Sequence, residues 1–92
     1  MVDYYWSWDF LAECAAKLIK LEQNFTNEQL QYLREYYTMN HFPEQIQMQE
    51  IANQWHIDDF DFYMNVSDWF FCRRMAHQEF IQRRDVVAKT AA

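Results

Sequence analysis

The chain has 92 residues and a formal net charge of −6; 51% of it is hydrophobic and 20% aromatic, with no glycine, one proline and two cysteines. That length makes one small domain, which buries only about 60–65% of its unfolded surface and so needs an efficient core. The aromatic content excludes disorder over most of the chain. No apolar run reaches the roughly 18 residues of a membrane span, and no secretory signal pattern opens the sequence. The missing glycines remove the phosphate-cradling loops of most nucleotide-binding enzymes.

In chain order, Asp3 or Ser7 stands where a first helix would be capped. Trp8, Leu11, Ala15 and Leu18 recur at helical spacing, so residues 8–21 read as an amphipathic helix. Thr26-Asn27-Glu28-Gln29 is a capping box, and Leu30, Leu33, Tyr36 and Tyr37 continue one apolar stripe to about Met39. Asn40-His41-Phe42-Pro43 breaks that helix, with the proline suited to the first turn of the next. Ile46, Ile51, Ala52 and Trp55 mark a third helix ending near His56. Ile57-Asp58-Asp59 is a turn in which either aspartate can cap the fourth helix. That last helix carries Val66, Trp69, Phe70, Arg73, Ala76 and Phe80, then frays into an alanine-rich tail.

Charge is unevenly placed along these elements. Residues 1–72 hold three basic side chains against twelve acidic ones, a net of −9, while residues 73–92 hold five against two, a net of +3. An acidic body with a basic end repels DNA at long range, although the end itself can meet phosphate.

Catalytic and metal chemistry find little support. His41, His56 and His77 are not paired at i, i+4, and Cys72 and His77 stand five apart, a poor ligand spacing on one helix. Asp58, Asp59 and Asp61 lack the glycine and terminal glutamate of a calcium loop. A Cys72–His77 nucleophile would have no visible oxyanion support. The expectation is a non-enzyme with no metal, cofactor or small-molecule substrate. Two cysteines are too few for a disulfide scaffold, which points to a reducing intracellular compartment.

Three blocks carry a resemblance. They are Phe25-Thr26-x-Glu28-Gln29-Leu30-x-x-Leu33-x-x-x-Tyr37-x-x-Asn40-x-Phe42-Pro43, then Ile51-Ala52-x-x-Trp55-x-Ile57, then Trp69-Phe70-x-x-Arg73-Arg74. In this order they resemble a homeodomain over residues 25–84. The resemblance implies an all-α, helix-turn-helix bundle of three helices. Its core would be Leu30, Leu33, Tyr37, Ile51, Trp55, Ile57, Val66, Trp69 and Phe70, and its last helix would match the one that enters the DNA major groove. Residues 1–24 would be an added aromatic helix and 85–92 a tail. A nuclear location follows from the resemblance alone.

Departures fall on the DNA-reading positions. The family's adenine-pairing asparagine is Cys72, whose thiol cannot make the bidentate contact worth about 1–3 kcal/mol. The other base-reading positions become Asp68, Phe71 and Met75. The minor-groove arm reads Lys20-Leu21-Glu22-Gln23, the phosphate-contacting tyrosine is Phe42, and a basic position of the third helix is Met48. Eleven residues separate Ile57 from Trp69 where the family places seven; four extra residues are close to one helical turn.

These features predict a degenerate homeodomain that works mainly as a protein–protein interaction module in a nuclear transcription or chromatin assembly. Phe71, Cys72 and Met75 would form an outward apolar patch. Either the N-terminal helix folds across it or another chain, or a second copy, inserts there. Asp68, Trp6 and Trp8 complete the expected partner-binding set. The alternative is a weakly specific DNA-binding module in which Arg73, Arg74, Arg83 and Arg84 hold phosphates.

Overall fold

In the computed structural model the backbone is described from Trp6 to Ala91 and side chains as far as Asp85, so the candidate cap Asp3 and the aromatic pair Tyr4-Tyr5 lie outside the described residues. Four helices follow one another: α1 (Trp8–Glu22), α2 (Asn27–Met39), α3 (Gln45–Asn53) and α4 (Phe60–Ala91). Among the described residues there is no strand.

Each helix begins where its sequence supplies an acceptor. The Ser7 hydroxyl accepts from the Phe10 amide at the head of α1. Thr26 accepts the Gln29 amide at 3.1 Å while Gln29 Oε1 accepts the Thr26 amide at 2.9 Å, closing the capping box of α2. At α3 the cap is Glu44, whose amide donates to Gln47 Oε1; Pro43 therefore stands before the cap instead of inside the first turn. Asp59 opens α4, its carboxylate accepting the Asp61 amide and its carbonyl the Tyr63 amide.

The end of α3 shows what a chain without glycine must do to stop a helix. His56 takes φ 57°, the left-handed conformation, while its amide donates to Asn53 and the Ile57 amide to Ala52. This pair of hydrogen bonds is the Schellman arrangement that glycine usually serves, because its missing Cβ removes the clash. Here a histidine bears that strain.

The extra residues before Trp69 lie in the first turns of α4, which starts nine residues ahead of that tryptophan. One added turn of 3.6 residues keeps the apolar face in register. Phe62 in this turn packs edge-on against Phe25 at 5.6 Å and Trp55 at 6.1 Å. The helix also continues to Ala91, through the segment that composition marks as a fraying tail.

The core is Phe25, Leu30, Leu33, Tyr37, Ile51, Val66, Trp69 and Phe70. Trp55 is only partly buried, since it seals the core edge against Tyr32 and Phe62, and Ile57 is half-buried in the α3–α4 turn. Trp69 is fully buried and its indole N–H donates to Glu22 at the end of α1, 3.0 Å away. That acceptor matters, because an orphaned buried N–H costs roughly 1–3 kcal/mol.

α1 buries a face different from the predicted stripe. Leu11, Cys14 and Leu21 are inside, with Leu18 partly so, while Trp8 stays 43% exposed. The spacing 11-14-18-21 is still one helical face; Cys14 behaves as a small hydrophobe and turns the stripe toward itself. This face lies antiparallel on α4: Cys14 meets Cys72, and Lys17 meets Asp68.

Candidate functional site: the recognition face of the last helix

Asp68, Phe71, Cys72 and Met75 occupy positions i, i+3, i+4 and i+7 of α4, a spacing that places them along one side of the helix. α1 lies across three of them. Lys17 Nζ stands 3.4 Å from Asp68, the Phe10 ring meets the Phe71 ring edge-on at 6.4 Å, and between these contacts Cys14 and Cys72 are both buried.

The outward apolar patch expected from the sequence is therefore divided. Cys72 is 1% exposed, beneath α1, because Cys14 and Leu11 need an apolar face to pack on and Cys72 supplies part of it. Phe71 keeps 40% of its surface open. Met75 is half-buried and lines a groove of about 330 Å³ with Trp6, Tyr37, His41, Phe42 and Ile81. Asp68 is held by Lys17, an ion pair whose partners are 56% and 36% exposed, so it fixes register and contributes little stability.

Burial pushes the thiols of both Cys14 and Cys72 above their ordinary value; Glu13 adds to the shift at Cys14, Cys14 and Asp68 add to it at Cys72, and Lys17 opposes it at both. Both are neutral S–H groups at physiological pH. They are free and unbridged.

The chain ahead of α1 is clasped to the far half of α4. The Trp6 amide donates to Gln82 Oε1 at 3.0 Å, and Gln82 Nε2 donates to the Trp6 carbonyl at 2.8 Å. Gln82 is only 2% exposed, so both ends of its amide are satisfied inside the protein. Trp6 stacks on Phe10 at 5.1 Å, and Arg83 lies 4.9 Å above the Trp8 ring while bonding Glu79 at 3.0 Å. Sequence periodicity alone misses Phe10, Cys14, Lys17 and Gln82. Their signal is matched chemistry on two separated helices: a thiol for a thiol, a cation for an anion, an aromatic for an aromatic.

The four arginines of the DNA-binding alternative have unequal freedom. Arg74 donates to the His41 carbonyl at 3.0 Å and lies over the Phe42 ring at 4.6 Å. Its burial lowers its basicity, with Tyr37 opposing, although a guanidinium stays charged. Arg73 covers the Tyr37 ring at 4.7 Å, so both residues knit α4 to the α2–α3 segment. Arg83 and Arg84 are exposed on the outer half of α4.

The homeodomain family model matches residues 20–79, the stretch that holds α2, α3, much of α4 and the core around Trp69. The chain belongs to the homeodomain family. The match begins in the last turn of α1 and ends in the middle of α4. Homeodomains are transcription-regulatory modules that typically bind DNA, are generally nuclear and are generally non-enzymatic. No curated protein and no solved structure matches the chain. Among the described residues no helix is long and apolar enough to cross a membrane, and no group of three or more His, Cys, Asp or Glu side chains is placed to hold a metal ion.

Proposed function

We propose that this homeodomain docks another protein in place of reading DNA bases. The observation that carries the reading is α1 lying along α4 over Asp68, Phe71 and Cys72, the side by which a homeodomain recognition helix addresses the major groove. A base edge and α1 cannot occupy that side together. The residues themselves agree: the Cys72 thiol cannot make the bidentate adenine contact, the Asp68 carboxylate is paired with Lys17, and the apolar Phe71 and Met75 offer at most contact with a thymine methyl.

What α1 leaves open supports a protein surface. Phe71 is 40% exposed and Phe42 73%, and Phe42 lines a groove with Met75, Ile81 and Trp6. An apolar groove on an acidic body suits an apolar helix or segment with basic flanks, because the net −9 of residues 1–72 steers a cation toward it. The setting is that of the family, a transcription or chromatin assembly in the nucleus.

The test is cross-linking of the full chain in a nuclear extract, with mass spectrometry to locate the linked residues. Links at the groove rim that vanish in Met75→Glu/Ile81→Glu, with helicity unchanged by circular dichroism, support the reading. Links placed elsewhere, or persisting in the double variant, overturn the groove. Sedimentation equilibrium of the chain alone separates a second copy from a different partner.

A further inference from the structure

The two cysteines are the chain's full complement, and the fold brings them together from positions 58 apart in sequence (72 minus 14). One is on α1 and the other on α4; both are buried, 6% and 1% exposed, both are free, and they lie in the interface bracketed by the Phe10–Phe71 and Lys17–Asp68 contacts. Nothing in the proposed docking groove uses them. Phe10–Phe71 on one side and Lys17–Asp68 on the other set the two cysteines facing each other on antiparallel helices, and a bridge at this point would tie the covering helix to the helix it covers.

We infer that Cys14 and Cys72 form a redox latch: an intramolecular disulfide between them locks α1 over the recognition face, and its reduction returns α1 to a non-covalent cover. The reaction is a thiol–disulfide exchange with a small disulfide of the glutathione type. One protein thiolate attacks the small disulfide, giving a mixed disulfide and one small thiolate. The second protein thiolate displaces the other small thiol and forms the Cys14–Cys72 bond. The protein loses two protons and two electrons; the small disulfide takes up both and is reduced to two thiols.

Burial sets the conditions under which the latch works. With both thiols under the helix interface, a solution oxidant reaches them only when α1 lifts, so closure is gated by the same motion that the bond then forbids. The bridge would close a long loop that includes the α1–α2 turn, α2 and α3, and long loops are where a cross-link restricts the unfolded chain most. The interface is also where Lys17–Asp68 and Trp6–Gln82 already set the register, one on each side of the thiol pair, so the sulfurs return to the same place after each opening.

The latch rests on how α1 packs on α4 and not on what the groove binds, so its test contains no partner. The full chain is equilibrated in glutathione buffers running from fully reduced to fully oxidised, trapped with an alkylating reagent, and read by intact mass and by peptide mapping. The expected result is a monomer lacking two hydrogens, a mapped Cys14–Cys72 peptide pair, and a thermal midpoint raised by roughly 10–20 °C that dithiothreitol reverses. Cys14→Ser and Cys72→Ser each abolish the shift; because both variants retain a hydrogen-bonding group of similar size, their reduced melting curves also report whether they fold. Free thiols throughout the series, or glutathione mixed disulfides or disulfide-linked dimers in place of the internal bond, overturn the latch. So does an internal bond that leaves the melting midpoint unchanged.

Discussion

Gln82 grips Trp6 with both ends of its side-chain amide, one hydrogen bond to the backbone N–H and one from its own N–H to the backbone carbonyl, across 76 residues of sequence. A buried glutamine on a long helix is costly unless both ends are satisfied, and here the chain ahead of α1 satisfies both. The clasp holds the entry to α1 against the outer half of α4, beyond the segment that the family model matches. Truncating it in Gln82→Ala should loosen α1 by about 1–3 kcal/mol, the range for two lost bonds and the Trp6 groups left behind. Amide exchange of α1 should accelerate while exchange of α2 stays unchanged.

Glu22 has two duties at the other end of α1. Its carboxylate accepts the Trp69 indole N–H at 3.0 Å and receives Arg34 at 3.3 and 3.4 Å. The Arg34 pair is exposed and worth little, so the indole is what matters. Glu22→Leu should lower unfolding free energy by about 1–3 kcal/mol by stranding that N–H, and Glu22→Gln, which keeps an acceptor oxygen, should cost less. Urea denaturation of the two variants checks the order.

His56 is the place where a stabilising change is expected. Its φ of 57° costs a residue with a Cβ roughly 1–2 kcal/mol, part of which glycine removes. His56→Gly should therefore raise stability by about 0.5–1 kcal/mol after the added flexibility of the unfolded chain is counted. A thermal midpoint that falls would place the benefit in the imidazole and not in the backbone.

The buried thiols give stability a pH dependence on the alkaline side. Burial raises both above their ordinary value, so the folded state favours S–H. The folded chain then binds more protons than the unfolded one once the unfolded thiols ionise, at about pH 8.5. Stability from this source is fully present below that pH and is lost as pH rises through the folded values. Glu13, Asp68 and Lys17 face the pair: Glu13 disfavours the Cys14 thiolate and Asp68 the Cys72 thiolate, Lys17 opposes both, and burial is the largest cause at each. Denaturation series in reducing buffer at pH 7 and above pH 9 should show the loss, and a Cys14→Ala/Cys72→Ala chain should show less of it.

Much of the fold was legible because the helix signals are local. Thr26 with Gln29 fixes the start of α2, Asp59 starts α4, and Leu30, Leu33, Val66, Trp69 and Phe70 repeat at helical spacing and are buried. The homeodomain blocks could be read in order even though the base-reading positions had changed. What local pattern could not supply was the partner of α1. Trp8 looked like the head of its apolar stripe, yet Cys14 is inside and Trp8 is 43% exposed, because the buried face was chosen by α4 and not by the hydrophobicity of α1 alone. For the same reason Cys72 was placed on an outward patch. The left-handed His56 was equally hidden, since a chain without glycine gives no helix-stop residue to read.

The most direct measurement is a fluorescence-anisotropy titration of the full chain against a mixed-sequence DNA duplex at roughly 50 and 200 mM salt, the span in which phosphate contacts show themselves. With α1 over Asp68, Phe71 and Cys72, no binding is expected at either salt. Salt-sensitive binding that is lost in Arg83→Glu/Arg84→Glu, two exposed arginines outside the core, would contradict that expectation and make the basic half of α4 a DNA-binding surface.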